Sequence, residues 1–119
     1  SRLGTGNASL TTQRITGDGQ TGLAASELFL IDNGATYEND NAIETAFAAG
    51  QITFSTGTVD DNDAVLIAYS STAGNVNVGI GQFAGTTGSS DTIDGFQTLV
   101  ILEGVSMANL DTNDFLITA

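Results

Sequence analysis

Residues 63–83 read "DAVLIAYSSTAGNVNVGIGQF" and contain two strand-forming runs joined by a short polar segment. The first run is centred on the unbroken apolar block Val65–Ile67, which predicts a strand buried on both faces. In the second run Val76 and Val78 alternate with small or polar residues, which predicts a strand with one apolar face. The joining segment "SSTAGN" is short enough for a hairpin loop, so we expect the two strands to pair antiparallel.

Similar β-rich runs flank this hairpin on both sides. The segments "SELFLID" and "FQTLVILEG" predict buried strands, "QITFST" predicts an alternating strand, and "SLTTQRIT" predicts a weaker one. The last run, "FLITA", is expected either to close the sheet or to stay free as an apolar tail. The sequence therefore predicts an all-β or β-rich fold, as an antiparallel sandwich or an irregular β-roll-like sheet of about seven to eight strands.

One segment, "NAIETAFAAG", carries a clear helical pattern. Asn41 can cap the helix, and Glu44 three residues later completes a capping-box pattern. Ile43 and Phe47 share one face, and Gly50 is a typical C-terminal stop. A helix of about two turns is expected, packed on the sheet through that apolar face. A shorter helical turn is expected in "VSMANLDTND" near the C terminus.

The charge of the chain is almost entirely negative. The 119 residues suit a single domain, residues 1–119, with 14 acidic residues against Arg2 and Arg14 and a net charge of −12. Binding to nucleic acid or to an anionic membrane surface draws on clustered Lys and Arg, so both are excluded. No apolar run approaches the roughly 18 residues of a membrane span. The N-terminal "SRLGTGNASL" has neither an initiating Met nor a signal-peptide pattern, so we expect a piece of a larger protein.

Most catalytic chemistries are excluded by missing residue types. The chain has no Cys and no His, which removes disulfides, thiolate chemistry and ordinary zinc or copper sites. Ser-His-Asp, Cys-His and Ser-Lys arrangements are impossible without His, Cys and Lys. A pair of carboxylates remains as a catalytic alternative, but the candidates lie in turn-like segments rather than in a cleft. These candidates are Asp60, Asp61, Asp63, Asp91 and Asp94. We therefore predict a protein that is not an enzyme.

Calcium binding is the sharper hypothesis for the acidic residues. Calcium takes carboxylate and carbonyl oxygens, which turns rich in Asp, Asn and Gly supply well. Three such clusters supply the candidate ligands Asp32 and Asp40, then Asp60, Asp61 and Asp63, then Asp91 and Asp94. None has the spacing of an EF-hand loop, and Asp also favours turns for local hydrogen-bonding reasons. A second alternative is a calcium-dependent adhesin or carbohydrate-binding module that uses Tyr37 and Tyr69 as a sugar platform.

Three segments carry a family resemblance: "TGDGQTGLAASELFLID", "DNDAVLIAYSSTAGNVNVGIGQF" and "DTIDGFQTLVILEGVSMANLDTNDFLITA". The first resembles a degenerate Gly/Asp turn that leads into a strand, as in repeats-in-toxin proteins. The other two resemble the C-terminal regions of large secreted bacterial proteins of that kind, which include surface-layer and adhesin-like proteins exported by type I secretion. The resemblance spans residues 26–119 and lies in the general residue pattern rather than in an exact motif. The defining nonapeptide G-G-x-G-x-D-x-U-x is absent, so the calcium-binding β-roll of that family is not carried over.

The resemblance also implies a role for the C-terminal tail. In that family an uncleaved export signal lies at the C terminus, often as an acidic residue followed by a few apolar ones. Asp114, Phe115, Leu116 and Ile117 occupy that position here. The chain is then expected to be the C-terminal module of a secreted or cell-surface protein, with export machinery as one partner. Self-assembly through exposed strand edges and calcium-dependent folding are the further expectations.

Overall fold

A computed structural model describes the chain at residues 8–9, 12–17, 20–23, 28–49, 52–54, 64–84 and 92–117. The strands are β1 (Ala8–Ser9), β2 (Thr12–Ile15), β3 (Gln20–Leu23), β4 (Leu28–Ile31), β5 (Ile52–Phe54), β6 (Ala64–Ser70), β7 (Val76–Ala84), β8 (Thr92–Leu102) and β9 (Leu116–Ile117). The helix α1 (Asp40–Ala48) lies between β4 and β5. Two short 3₁₀ helices, Met107–Asn109 and Thr112–Asp114, follow β8.

The central feature is a five-stranded sheet in the order β2-β4-β6-β7-β8. Strands β6 and β7 pair antiparallel from Ala64↔Gln82 to Ser70↔Val76, which confirms the hairpin predicted from residues 63–83. Strand β8 then pairs antiparallel with β7 and forms one edge of the sheet. The β-rich fold with one short α-helix is therefore as predicted.

The expectation of antiparallel pairing throughout is wrong. Strands β2, β4 and β6 are parallel neighbours, and β3 and β5 form a separate parallel pair. The physical reason is the connection from β4 to β6, which passes through α1 and so returns the chain to the same end of the sheet. The described strands form one mixed sheet with two small two-stranded sheets and do not establish a sandwich or a β-roll.

Each face of the five-stranded sheet carries its own apolar core. Ile43 and Phe47 of α1 pack with alternate side chains of β4 and β6 on one face. These strand residues are Phe29, Ile31, Val65, Ile67 and Tyr69. The C-terminal segment covers the other face, where Met107 and Leu110 pack on Leu28, Leu30, Ala68, Val76 and Val78. Because β4 is covered on both sides, all four of its residues are buried, in agreement with its continuous apolar run.

The helix begins earlier than predicted. Asn39, not Asn41, is the N-cap residue, and its side-chain oxygen accepts a hydrogen bond of 3.0 Å from the backbone N–H of Ala42. Both asparagines suit a cap, so local preference alone does not choose between them. The earlier start places Asp40 in the first helical turn, where it reaches β8. The predicted stop, Gly50, lies outside the described residues.

Strand β7 carries glycine where β8 crowds it most closely. A Cβ atom on Gly79 would lie 2.5 Å from the Cζ atom of Phe96 and 2.5 Å from the backbone oxygen of Gln97. Gly81 is similarly restricted, because its Cβ would lie 2.7 Å from Cγ2 of Ile93. The missing side chains therefore leave the space in which the buried Phe96 ring packs.

Replacing Gly79 with Ala should destabilise the protein by about 1–3 kcal/mol, the usual cost of overpacking a well-packed core. The matched control is Gly17→Ala, because a Cβ atom there would meet no atom within 4 Å. That control should change the free energy of unfolding by less than about 0.5 kcal/mol. Urea unfolding checks both values, and equal midpoints for the two variants would contradict the packing argument.

Candidate functional site

Among the described residues, the predicted calcium ligands do not gather into one site. Asp32 follows β4, Asp40 begins α1, and Asp94 lies in β8. Within the described part of the chain, no group of three or more acidic side chains could hold a metal ion. The other predicted ligands lie outside the described residues: Asp60, Asp61, Asp63 and Asp91. Calcium binding by those four residues stays a prediction.

Asp32 forms an ion pair that holds the C-terminal segment to the sheet. Nη1 of Arg14 lies 2.7 Å from Oδ2 of Asp32, and both side chains are about one-third exposed. The same guanidinium donates to the backbone oxygens of Met107, at 3.1 Å, and Leu110. Arg14 thus connects β2, the end of β4 and the first 3₁₀ helix. Sequence reasoning missed this role. The usable signal was that Arg14 is one of only two cationic residues among 14 acidic ones, which favours an ion pair.

Asp40 and Glu44 bind the edge strand β8 through its backbone. Oδ2 of Asp40 accepts a hydrogen bond of 2.9 Å from the N–H of Thr98, and Oδ1 accepts from the Thr98 hydroxyl. Oε1 of Glu44 accepts a bond of 2.7 Å from the N–H of Phe96. Glu44 therefore does not complete the predicted capping box. Instead, two carboxylates one helical turn apart satisfy two edge amides that a neighbouring strand would otherwise bind.

The environment of Asp40 lowers its pKa. Burial alone would raise the pKa of this carboxyl group, because it disfavours the charged form. The hydrogen bonds from the hydroxyl and N–H of Thr98 and from the hydroxyl of Tyr69 outweigh burial, so the pKa lies below its ordinary value. The carboxylate form of Asp40 is therefore the form that the folded protein stabilises.

Beyond Thr98, apolar side chains of β8 are exposed. Leu99, Val100 and Ile101 are 61%, 47% and 54% exposed, and among the described residues only Leu116 is another exposed large apolar side chain. The register with β7 shifts here, because Val78 pairs with Val100 and the next residue of β7 pairs with Thr98. Leu99 is the extra residue of this bulge. We refer to Leu99–Ile101 as the uncovered end of β8.

The prediction that "FQTLVILEG" forms a strand is confirmed, but the prediction that this strand is buried is wrong over Leu99–Ile101. A continuous apolar run indicates strand formation equally well in the middle of a sheet and at its edge.

Tyr37 and Tyr69 do not form the expected sugar platform. They are only 8% and 1% exposed, and their rings pack edge to face with centroids 6.0 Å apart. The hydroxyl of Tyr69 accepts a hydrogen bond of 3.0 Å from Nδ2 of Asn77 and donates one of 3.2 Å to Asp40. Both tyrosines are therefore core residues, and that alternative is corrected on this point.

The C-terminal tail is part of the fold. Asp111 and Asp114 form a reciprocal capping box around the second 3₁₀ helix. Phe115 is half-buried against the core that Met107 and Leu110 form. The strand β9 pairs antiparallel with β1, so the tail neither joins the five-stranded sheet nor stays free. Leu116 nevertheless remains 59% exposed.

No protein-family model matches the chain, and neither the curated proteins nor the solved structures contain a significant match. In the described part of the chain, no helix is both long and apolar enough to cross a membrane. The functional conclusion therefore depends on the geometry of the uncovered end of β8 and its surroundings.

Replacing Asp40 with Asn should lower the free energy of unfolding at neutral pH by about 1 kcal/mol, because charge-assisted hydrogen bonds to β8 are lost. The folded-state pKa of Asp40 is lowered, so its contribution is fully present above the ordinary Asp pKa of about 3.9 and is lost as the pH falls through the folded-state value. The difference from the unmodified protein should therefore shrink in acid.

Urea unfolding measures this difference at two pH values, one neutral and one well below the ordinary pKa of Asp. The control is Asp94→Asn, which removes the same charge from an exposed residue whose carboxylate accepts from the N–H of Gly95. If both variants lose equal stability with the same pH dependence, Asp40 has no special role at the edge of β8.

Proposed function

We propose that this chain is a non-enzymatic extracellular structural module that assembles with further copies of itself through the uncovered end of β8. The observation that carries the proposal is the presence of three consecutive exposed apolar residues, Leu99–Ile101, on an edge strand. An edge strand presents unpaired backbone groups to which another strand adds readily. Contiguous exposed apolar side chains are typical of interaction surfaces.

The helix α1 restricts where a second strand can add. Asp40 and Glu44 already occupy the backbone N–H groups of Thr98 and Phe96, so this part of the edge is closed to a partner. Pairing is therefore directed to Leu99 and the residues that follow it. Two copies related by a twofold axis would each contribute the same patch, which makes the contact self-complementary.

The negative charge of the chain opposes this assembly, so conditions that reduce the repulsion between copies should promote it. A net charge of −12 on each copy creates repulsion that salt screens and divalent cations relieve. We propose calcium as the cation, with the ligands among Asp60, Asp61, Asp63 and Asp91. Association through this contact would then be favoured outside the cell.

Replacing Val100 and Ile101 with Lys should abolish self-association, because two desolvated ammonium groups would lie in the strand contact. Sedimentation over a range of protein concentrations, with millimolar calcium or with a chelator, measures the oligomeric state. The control is Leu116→Lys, which places one ammonium group at another exposed apolar residue, on β9. It should leave association unchanged apart from the effect of net charge.

A monomer under every condition would contradict the proposal, as would equal loss of association in the Leu116→Lys control. Thermal unfolding with and without calcium tests the metal separately, because an ion that binds only the folded protein raises its melting temperature. An unchanged melting temperature, together with salt-dependent association, would remove calcium and retain the β8 contact.

We also propose that the tail Asp114–Ile117 is read by a type I exporter before the module folds. The support is the resemblance of the tail together with the half-burial of Phe115 in the folded chain. A segment that contributes to the core is accessible in full only while the chain is unfolded. The secreted or cell-surface location follows from this part of the proposal.

Deleting residues 111–119 from a fusion with a passenger protein should abolish export of the passenger. The deletion also removes Phe115 from the core, so a control must separate instability from loss of the signal. Gly79→Ala is that control, since it should weaken the fold and leave the tail intact. Immunoblotting of the culture medium gives the result, and normal export of the truncated protein would overturn the export role.

A further inference from the structure

A groove of about 540 Å³ lies at the carboxyl ends of the parallel strands β4 and β6. Three parts of the chain line it: Asp32 and Thr36 after β4, residues 70–71 and 74–76 at the β6–β7 turn, and residues 104–108 after β8. Small-molecule sites commonly occupy about 300–1,000 Å³. In sheets with parallel strands, ligands often bind beyond the carboxyl ends of those strands.

The backbone keeps the rim of the groove compact. Gly74 and Gly104 adopt φ angles of 85° and 70°, in the left-handed region that favours glycine. The chain therefore turns sharply in both loops. Ser71 is buried at this turn, and its Oγ atom accepts a hydrogen bond of 3.2 Å from the N–H of Asn75. The loop from β6 to β7 is thus held by its own hydrogen bonds.

Four polar side chains line the groove without a partner among the described residues: Thr36, Ser70, Asn75 and Ser106. Ser106 precedes the first 3₁₀ helix, yet its side chain makes no capping hydrogen bond. Hydroxyl and carboxamide groups both donate and accept hydrogen bonds. Four such groups at one groove are available for hydrogen bonds to a ligand.

The groove also has apolar lining residues. Val105 is half-buried there and packs against the core that holds the buried Val76 and Met107. Small-molecule sites typically combine an apolar lining with a small number of precisely placed polar groups. The groove can therefore offer both hydrogen bonds and apolar contact to the same ligand.

The charges around the groove narrow the ligand class. The one described acidic residue in its lining, Asp32, is paired with Arg14 at 2.7 Å. A cation would find this carboxylate already neutralised, and an anion would meet both the carboxylate and a chain of net charge −12. A neutral ligand is thus favoured over either ion.

We propose that this groove binds a neutral carbohydrate unit. The sugar hydroxyls would exchange hydrogen bonds with Asn75 and Ser106, while a C–H face of the ring contacts the half-buried Val105. This site is separate in chemistry from the β8 contact and does not depend on the tyrosines. It would allow the module to attach to cell-surface glycans.

Titration of the ¹⁵N-labelled chain with glucose, galactose, mannose and N-acetylglucosamine, followed by amide NMR spectra, tests the proposal. We expect saturable shifts at residues 70–75 and 104–108 with at least one of these sugars. Asn75→Ala with Ser106→Ala should weaken that binding about fivefold or more, which corresponds to roughly 1 kcal/mol for lost hydrogen bonds. Asn109→Ala, an exposed residue outside the groove lining, is the matched control.

Shifts outside the groove, equal affinity in the double variant, or no shift with any of the four sugars would overturn the carbohydrate site. The amide spectrum of the double variant also reports whether it is folded, so a failure to fold is recognised. Its sedimentation should match that of the unmodified chain, because Asn75 and Ser106 lie outside the proposed β8 contact.

Discussion

The contact between the carboxylates of α1 and the backbone of β8 sets the position of the helix and the state of the sheet edge. Asp40 and Glu44 reach N–H groups that are 58 and 52 residues away in the chain. These bonds hold α1 across the apolar face formed by β4 and β6, and they close part of the edge to other chains. Where they end, at Thr98, the exposed apolar residues begin. A carboxylate that accepts a backbone hydrogen bond is charge-assisted, so this protection is strongest while Asp40 is ionised.

The face of the sheet opposite α1 is held by a cationic side chain, Arg14. In a chain with only two cationic residues, Arg14 connects Asp32 to the backbone oxygens of Met107 and Leu110. Its planar guanidinium offers several donors at fixed angles, which suits a carboxylate and two carbonyl groups at once. The C-terminal segment is thereby held where its apolar residues complete the second core. The same arrangement shapes the groove that we propose as a carbohydrate site.

Much of the secondary structure could be predicted because it follows from local patterns. The hairpin of β6 and β7, the buried strand β4 and the apolar face of α1 with Ile43 and Phe47 were all accessible in this way. The parallel order β2-β4-β6 was not, since it depends on the path of the connection through α1. The cap was misplaced by two residues because Asn39 and Asn41 are chemically equivalent and only Asp40 at β8 distinguishes them.

The residue order and composition are enough to establish a chain that is rich in strands, strongly acidic and without the residues for thiol, histidine or lysine chemistry. Which side chains are buried in the cores and which remain exposed depends on how distant segments pack. Tyr37 and Tyr69 became core, while Leu99–Ile101 became surface, although both sets are apolar or aromatic in the sequence. The physical reason is that composition and periodicity record what a residue favours locally, whereas burial depends on which distant segment packs against it.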